Sequence, residues 1–207
     1  METKNESALF TPDMIRQLQT VFSRMEQPLV LKCFLDADPV SEQLQEYVTE
    51  CCALTDKLSW VSSREDCAHK PCVRICDKDG KDSGLAFHGV PGGHEFTSFI
   101  LALYNVAGPG QTVGDRIRGK IEAIDKDIRI TILVSLSCTI CPDVVQAAQR
   151  IGSLSPHVSV DVYDIQHFES LRTKYIVTRV PCLILNDREP VYGKKNIGQL
   201  LDMIKQG

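Results

Sequence analysis

No apolar run in this 207-residue chain approaches the roughly 18–20 residues that a membrane-spanning helix needs. The opening stretch METKNESALF is polar and carries no signal-peptide core. Lys and Arg do not cluster and the net charge is −4, so no basic surface is offered to a nucleic-acid backbone. A dinucleotide-binding loop is lacking too. The G-x-G of Gly108 and Gly110, in VAGPGQTVG (106–114), follows a helical pattern rather than a strand and lacks the further glycine spacing. These absences argue against membrane and nucleic-acid partners and against a bound flavin or nicotinamide. The resulting expectation is a cytoplasmic chain with no cofactor of its own.

What is present is ordinary globular composition, 43% hydrophobic and 24% charged, in a length that suits one large domain or two small ones. The nine cysteines are an odd number, so they cannot all pair, and the chain is too long to need a disulfide scaffold. In a reducing compartment most are expected to be free thiols, and any disulfide to be transient and catalytic.

The periodicities predict two halves with the same element order. In the first, Thr11 caps a helix that has Pro12 at its first position and Ile15, Leu18, Phe22 and Met25 on one face. A strand at 28–35, a helix at 40–55 with Leu44, Tyr47, Val48, Cys51 and Leu54 at helical spacing, and a short strand at 57–62 follow. Strands at 71–76 and 84–89 join through a turn around DKDG, and an amphipathic helix at 93–106 closes the half. The second half repeats this: helix 112–124, strand 127–136, helix 141–152, strand 157–164, a helix around 166–175, strands PCLILN and EPVYG, and a last helix at 196–205. Lys70-Pro71-Cys72-Val73 echoes Val180-Pro181-Cys182-Leu183. Gly108, Pro109, Gly110 and Gly114 mark the boundary, giving domains of 1–110 and 111–207.

The chemistry sits in SLSCTICPDVVQAAQR (135–150). Here a strand, a short turn and a helix place Cys138 at or just before a helix N-terminus. Unpaired N–H groups and the positive end of the helix dipole there favour a thiolate over a thiol, and such settings bring a cysteine from about 8.5 down to roughly 3.5–7.5. Cys141 falls one turn on, within reach of a disulfide. Pro142 is tolerated because its missing N–H falls in the first turn. The roles follow: Cys138 attacks a substrate disulfide, and Cys141, more buried, resolves the mixed disulfide. Thr139 and Ile140 tune the couple and, supplying no cation, suggest a reducing one. Pro181, opening a strand some 40 residues later, is expected to follow a cis bond, which is cheap only before proline. Val180 would then present its backbone to a bound substrate chain.

The remaining cysteines read as packing. Cys33, Cys51 and Cys52 lie in apolar patterns, as does Cys182, for which proximity to the redox pair leaves a third redox role open. Cys67, His69, Cys72 and Cys76 fall within ten residues and invite a zinc reading. On a strand, however, Cys72 and Cys76 are about 13 Å apart, whereas two sulfurs on one zinc lie within about 4.6 Å of each other. No metal is expected from that set. His94 reads as helix-start surface, and His88, His157 and His167 carry no signal.

LSCTICPDVVQA, VPCLILN and GVPGGHEFTSFILAL together resemble the N-terminal domain of the flavoprotein subunit of bacterial alkyl hydroperoxide reductase, over almost the whole chain. The resemblance implies an α/β fold: two tandem thioredoxin-like folds, each a central mixed sheet flanked by helices, with one surviving Cys-x-x-Cys in the second. It implies electrons arriving from a flavin-dependent reductase and leaving to a peroxiredoxin or another protein disulfide. The flavin and nicotinamide domains of that flavoprotein are not in this sequence, so a separate reductase is the expected donor. Thr139 and Ile140 stand where the family usually has His-Asn. Thioredoxins resemble one another in carrying a buried acid six residues before the first cysteine. Here that residue is Ile132, which cannot carry a proton. Glu95 matches the acid that the family supplies from its first fold, and is the expected proton acceptor during resolution. By residue chemistry alone Glu95 reads equally as a first-turn helix acid. Competing functional readings are a general protein disulfide reductase or isomerase, and an adaptor module with an inert cysteine pair.

Overall fold

In the computed structural model, residues 9–206 are described, and the polar opening stretch at 1–8 lies outside them. The chain runs α1 (Pro12–Ser23), β1 (Leu29–Phe34), α2 (Pro39–Ala53), β2 (Leu58–Ser62), β3 (Cys72–Asp77), β4 (Asp82–His88) and α3 (Glu95–Ala107). It continues through α4 (Asp115–Glu122), β5 (Ile128–Val134), α5 (Cys141–Gly152), β6 (Val158–Asp164), α6 (Glu169–Lys174), β7 (Cys182–Leu185), β8 (Val191–Tyr192) and α7 (Ile197–Gln206). Local chemistry sets the helix starts. The Thr11 hydroxyl accepts from the Met14 N–H at 3.3 Å, and the Asp38 carboxylate accepts from Val40 at 2.8 Å, each just before a proline in the first turn. The helix expected at 166–175 is shorter than its pattern, and the strand expected at EPVYG contracts to two residues.

The strands form one eight-stranded mixed sheet in the order β2-β1-β3-β4-β6-β5-β7-β8. Each half contributes the same four-strand pattern. β1 is parallel to β2 and antiparallel to β3, which pairs with β4. β5 is likewise parallel to β6 and antiparallel to β7, which pairs with β8. The halves join where β4 runs parallel to β6, Leu85 opposite Val160 and His88 opposite Tyr163.

Alternation along the strands sorts the core into two faces. Ile130, Ile132, Val134, Val160, Val162, Leu85 and Phe87 join the main cluster, over which α3 and α5 pack against each other. Leu133, Tyr163, Cys182 and Ile184 face the other way, onto Phe168 and Leu171 around α6. Cys72 and Ala86 pack with Phe34 in a small third cluster. The segment between α3 and α4 is tied down: Asn105 accepts from the Gln111 N–H at 2.8 Å and donates to its side chain at 3.0 Å. Three X-Pro bonds are cis, before Pro71, Pro109 and Pro181. The sequence pattern pointed to the last of these alone.

Candidate functional site

β5 ends at Val134, a turn closed by the Cys138 N–H donating to the Ser135 carbonyl at 2.9 Å carries the chain off the sheet, and α5 begins at Cys141. Cys138 and Cys141 are joined as a disulfide, their Cα atoms 5.5 Å apart. The two sulfurs are not equivalent. Cys141 has no exposed surface, whereas Cys138 is half-buried and the Thr139–Ile140 bridge is exposed. Cys138 precedes the helix by three residues. Its Sγ still receives the N–H of Cys141 at 3.2 Å, one of the first-turn donors that have no partner inside a helix. The residue before the helix, Ile140, offers no side-chain cap, so that donor is left to the sulfur.

Val180 is half-buried and Pro181 buried, with a cis bond between them. Cys182 sits opposite Leu133 in the β5–β7 pairing, which puts Pro181 at the end of β5 from which the chain departs toward Cys138. Val180 and Cys138 pack on the same apolar cluster. Cys182 itself is buried, and burial pushes its thiol up to about 11, the state of an unreactive packing cysteine. Burial likewise raises Cys33, Cys51 and Cys52.

Glu95, the first residue of α3, is fully buried. Neither carboxyl oxygen has a hydrogen-bond partner. Burial pushes its acid up to about 7, and the Ser98 hydroxyl one turn on only partly opposes this. The chain before it reaches the redox turn directly, as the His94 N–H donates to the Leu136 carbonyl at 2.9 Å. Gly93 makes that approach possible: its φ is +53°, and a Cβ there would overlap the Leu136 backbone. α3 packs on α5, and its start adjoins the turn that precedes α5. His94 is exposed, as expected. Sequence reasoning passed over Gly93 and Leu136; the signal was a glycine placed just before the His-Glu helix start.

The large cavity of about 970 Å³ lined by Ser83, Gly84, Arg129 and Pro156 lies at the opposite end of the sheet, where β5 and β6 begin. Among the described residues, no helix is long and apolar enough to cross a membrane.

One other cysteine departs from the buried, inert type. Cys67, half-buried in the loop before β3, has its thiol drawn down to about 6, first by a hydrogen bond from Cys72, against the opposing effect of burial. Its sulfur lies near Cys72 and near His88, a histidine for which the sequence showed no role. Cys72 opens β3 and His88 closes β4, and the strand pairing sets them opposite each other.

A thioredoxin-domain family matches residues 128–204, which hold the Cys-x-x-Cys and the cis proline. Over 94% of its length the chain is 30% identical to the F subunit of alkyl hydroperoxide reductase from Escherichia coli, covering 37% of that protein. It is 27% identical to a protein called NADH dehydrogenase from Bacillus subtilis, over 92% of this chain and 37% of that one. It thus spans a little over a third of the length of these relatives. The solved NTD_N/C domain of alkylhydroperoxide reductase AhpF from Enterococcus faecalis superposes with a TM-score of 0.89 at 33% identity, over 94% of this chain and 99% of that one. A protein disulfide oxidoreductase from Aeropyrum pernix shares the fold at a TM-score of 0.81 and 17% identity, over 94% and 92% of the two chains.

Proposed function

The chain belongs to the family of the N-terminal domain of the alkyl hydroperoxide reductase flavoprotein AhpF, and from that premise we propose that it is a dithiol–disulfide oxidoreductase working through Cys138 and Cys141. The observation that carries the reading is the disulfide at the start of α5, one sulfur reachable and the other fully buried.

In the reduced chain, Cys138 attacks one sulfur of a substrate disulfide as a thiolate. The substrate's first thiolate leaves and a mixed disulfide forms. Glu95, whose acid is pushed up to about 7 by burial, takes the proton of Cys141. The Cys141 thiolate then attacks Cys138, releases the second substrate thiolate and restores the disulfide, two electrons having passed to the substrate. Thr139, Ile140, Val180 and Pro181 form the surface on which the substrate chain lies. Residues 1–110 form the docking half that supplies Glu95, and residues 111–207 the redox half.

We read the electron donor as a flavin-dependent disulfide reductase and the acceptor as a peroxiredoxin or another disulfide-bearing protein, in the cytoplasm. Family membership supports this assignment, as does an exposed cysteine bridge suited to a protein surface.

The test is dithiothreitol-driven insulin reduction. Wild type should accelerate precipitation, and Cys138→Ser should fall to the uncatalysed rate. Cys141→Ser should accumulate a mixed disulfide through Cys138. Equal rates for wild type and Cys138→Ser contradict the reading and favour an adaptor with an inert pair.

A further inference from the structure

A second group of sulfur and nitrogen ligands lies on the sheet face opposite α3 and α5, and the redox reading leaves it unused. The β3–β4 pairing sets Cys72 directly opposite His88, and both are almost fully buried. The loop before β3 brings in Cys67. The two sulfurs and one ring nitrogen of His88 all lie within 4.8 Å of one another. The strand argument against Cys76 still holds, since Cys76 is outside this group. The ligand that replaces it comes from the neighbouring strand, a relation that spacing along one strand does not reveal.

The geometry suits one tetrahedral ion. The Cys72 Sγ lies 3.7 Å from His88 Nε2. A zinc ion with its usual bond lengths holds a sulfur and a nitrogen about 3.6 Å apart. The ring is oriented for this. His88 Nδ1 is 2.8 Å from the His69 carbonyl, which can only accept, so Nδ1 carries a proton; Nε2, on the side of the sulfurs, donates to the Asp161 carboxylate, and a metal would displace that proton. A metal-ligating histidine is usually fixed by such an outer hydrogen bond. Stacking on Tyr163, centroids 3.9 Å apart and planes at 12°, holds the ring in place.

Asp161 of β6 puts Oδ1 2.9 Å from His88 Nε2, and Arg74 reaches the same oxygen at 3.4 Å. Two thiolates balance a divalent ion, and Arg74 balances Asp161, so the occupied site is neutral. A cavity of about 400 Å³ lined by Cys67, His88, Arg74 and Asp161 gives an entry path and room for a fourth ligand. Two thiolates with an imidazole select zinc over magnesium or calcium.

We propose that Cys67, Cys72 and His88 bind one zinc ion, with Asp161 or water in the fourth position. His88 and Asp161 lie on β4 and β6, the strands that join the halves, so the ion clamps that junction. The inference is independent of the redox assignment.

The test uses the full reduced chain carrying Cys138→Ser and Cys141→Ser, which removes the redox pair. Cobalt(II) should bind with one equivalent and give a thiolate-to-metal charge-transfer band, which zinc abolishes by displacement. Adding Cys67→Ser changes a half-buried loop thiol and should weaken binding more than about tenfold. Zinc should raise the thermal midpoint of the parent and leave that of the Cys67→Ser chain unmoved, which separates a lost ligand from a misfolded variant. No charge-transfer band, a band insensitive to Cys67→Ser, or a Cys67–Cys72 disulfide that forms in preference to metal binding overturns the proposal.

Discussion

Two strand-to-helix junctions occupy equivalent places in the two halves and differ in the atom that meets the helix start. At β1–α2 it is oxygen. The Asp38 carboxylate caps α2, and Asp36 accepts from the Ser41 hydroxyl at 2.6 Å and from the Asp38 N–H at 3.1 Å, which lowers its acid, the Ser41 bond foremost. At β5–α5 it is the Cys138 sulfur, with no capping side chain at Ile140. A helix start stabilises an anion of either kind. A carboxylate so placed only accepts hydrogen bonds, whereas a thiolate can form and break a covalent bond. One fold thus gives a static junction and a reactive one from a change of side-chain chemistry.

The largest effect that sharpens this comparison concerns Glu95, the buried acid at the start of α3, the helix that packs on α5. Its folded value, about 7, lies above its ordinary 4.5, so the folded chain keeps a proton that the unfolded chain releases. The stabilisation is complete below about 4.5 and is lost as pH rises through 7. Glu95→Gln should therefore gain up to about 3 kcal/mol of unfolding free energy above neutrality, and gain little at low pH. It should also slow release of the mixed disulfide. Denaturant unfolding across pH, with single-turnover reduction, checks both.

The oxygen junction breaks more gently. Asp38→Ala removes the α2 cap and should cost about 1 kcal/mol, lowering the thermal midpoint by about 3 °C. The alkylation rate of Cys138 should not move. The smallest effect is expected at the rim of the sulfur junction, where Lys194 lies 2.5 Å from Asp143 in the first turn of α5, both well exposed. Lys194→Ala should change stability by less than about 1 kcal/mol, measurable as a small loss that salt erases.

Most elements were legible because their signals are local. Thr11-Pro12 starts α1, Cys141 to Gly152 follows a helical period, and the apolar run before the cysteines forms β5, buried on both faces. The redox pair, the cis bond before Pro181 and the packing role of Cys51 could be read in the same way. The joining of the halves could not. The β4–β6 register depends on side chains far apart in sequence, and no period records it. Glu95 could be named only by resemblance, because its burial comes from α3 packing on α5 and from Gly93 meeting Leu136. His88 was missed for a related reason. Its partners come from a loop, a neighbouring strand and the other half of the sheet, so no single stretch contains the pattern.

The central claim is that the start of α5 holds the Cys138 sulfur as a thiolate near neutral pH. Peptide-resolved alkylation of the reduced chain across pH, read by mass spectrometry so that Cys67 is counted apart, tests it directly. The account predicts that Cys138 reaches half its maximal rate well below the ~8.5 of an unperturbed cysteine. A rate still climbing through that value, or no fast-reacting thiol at position 138, contradicts it.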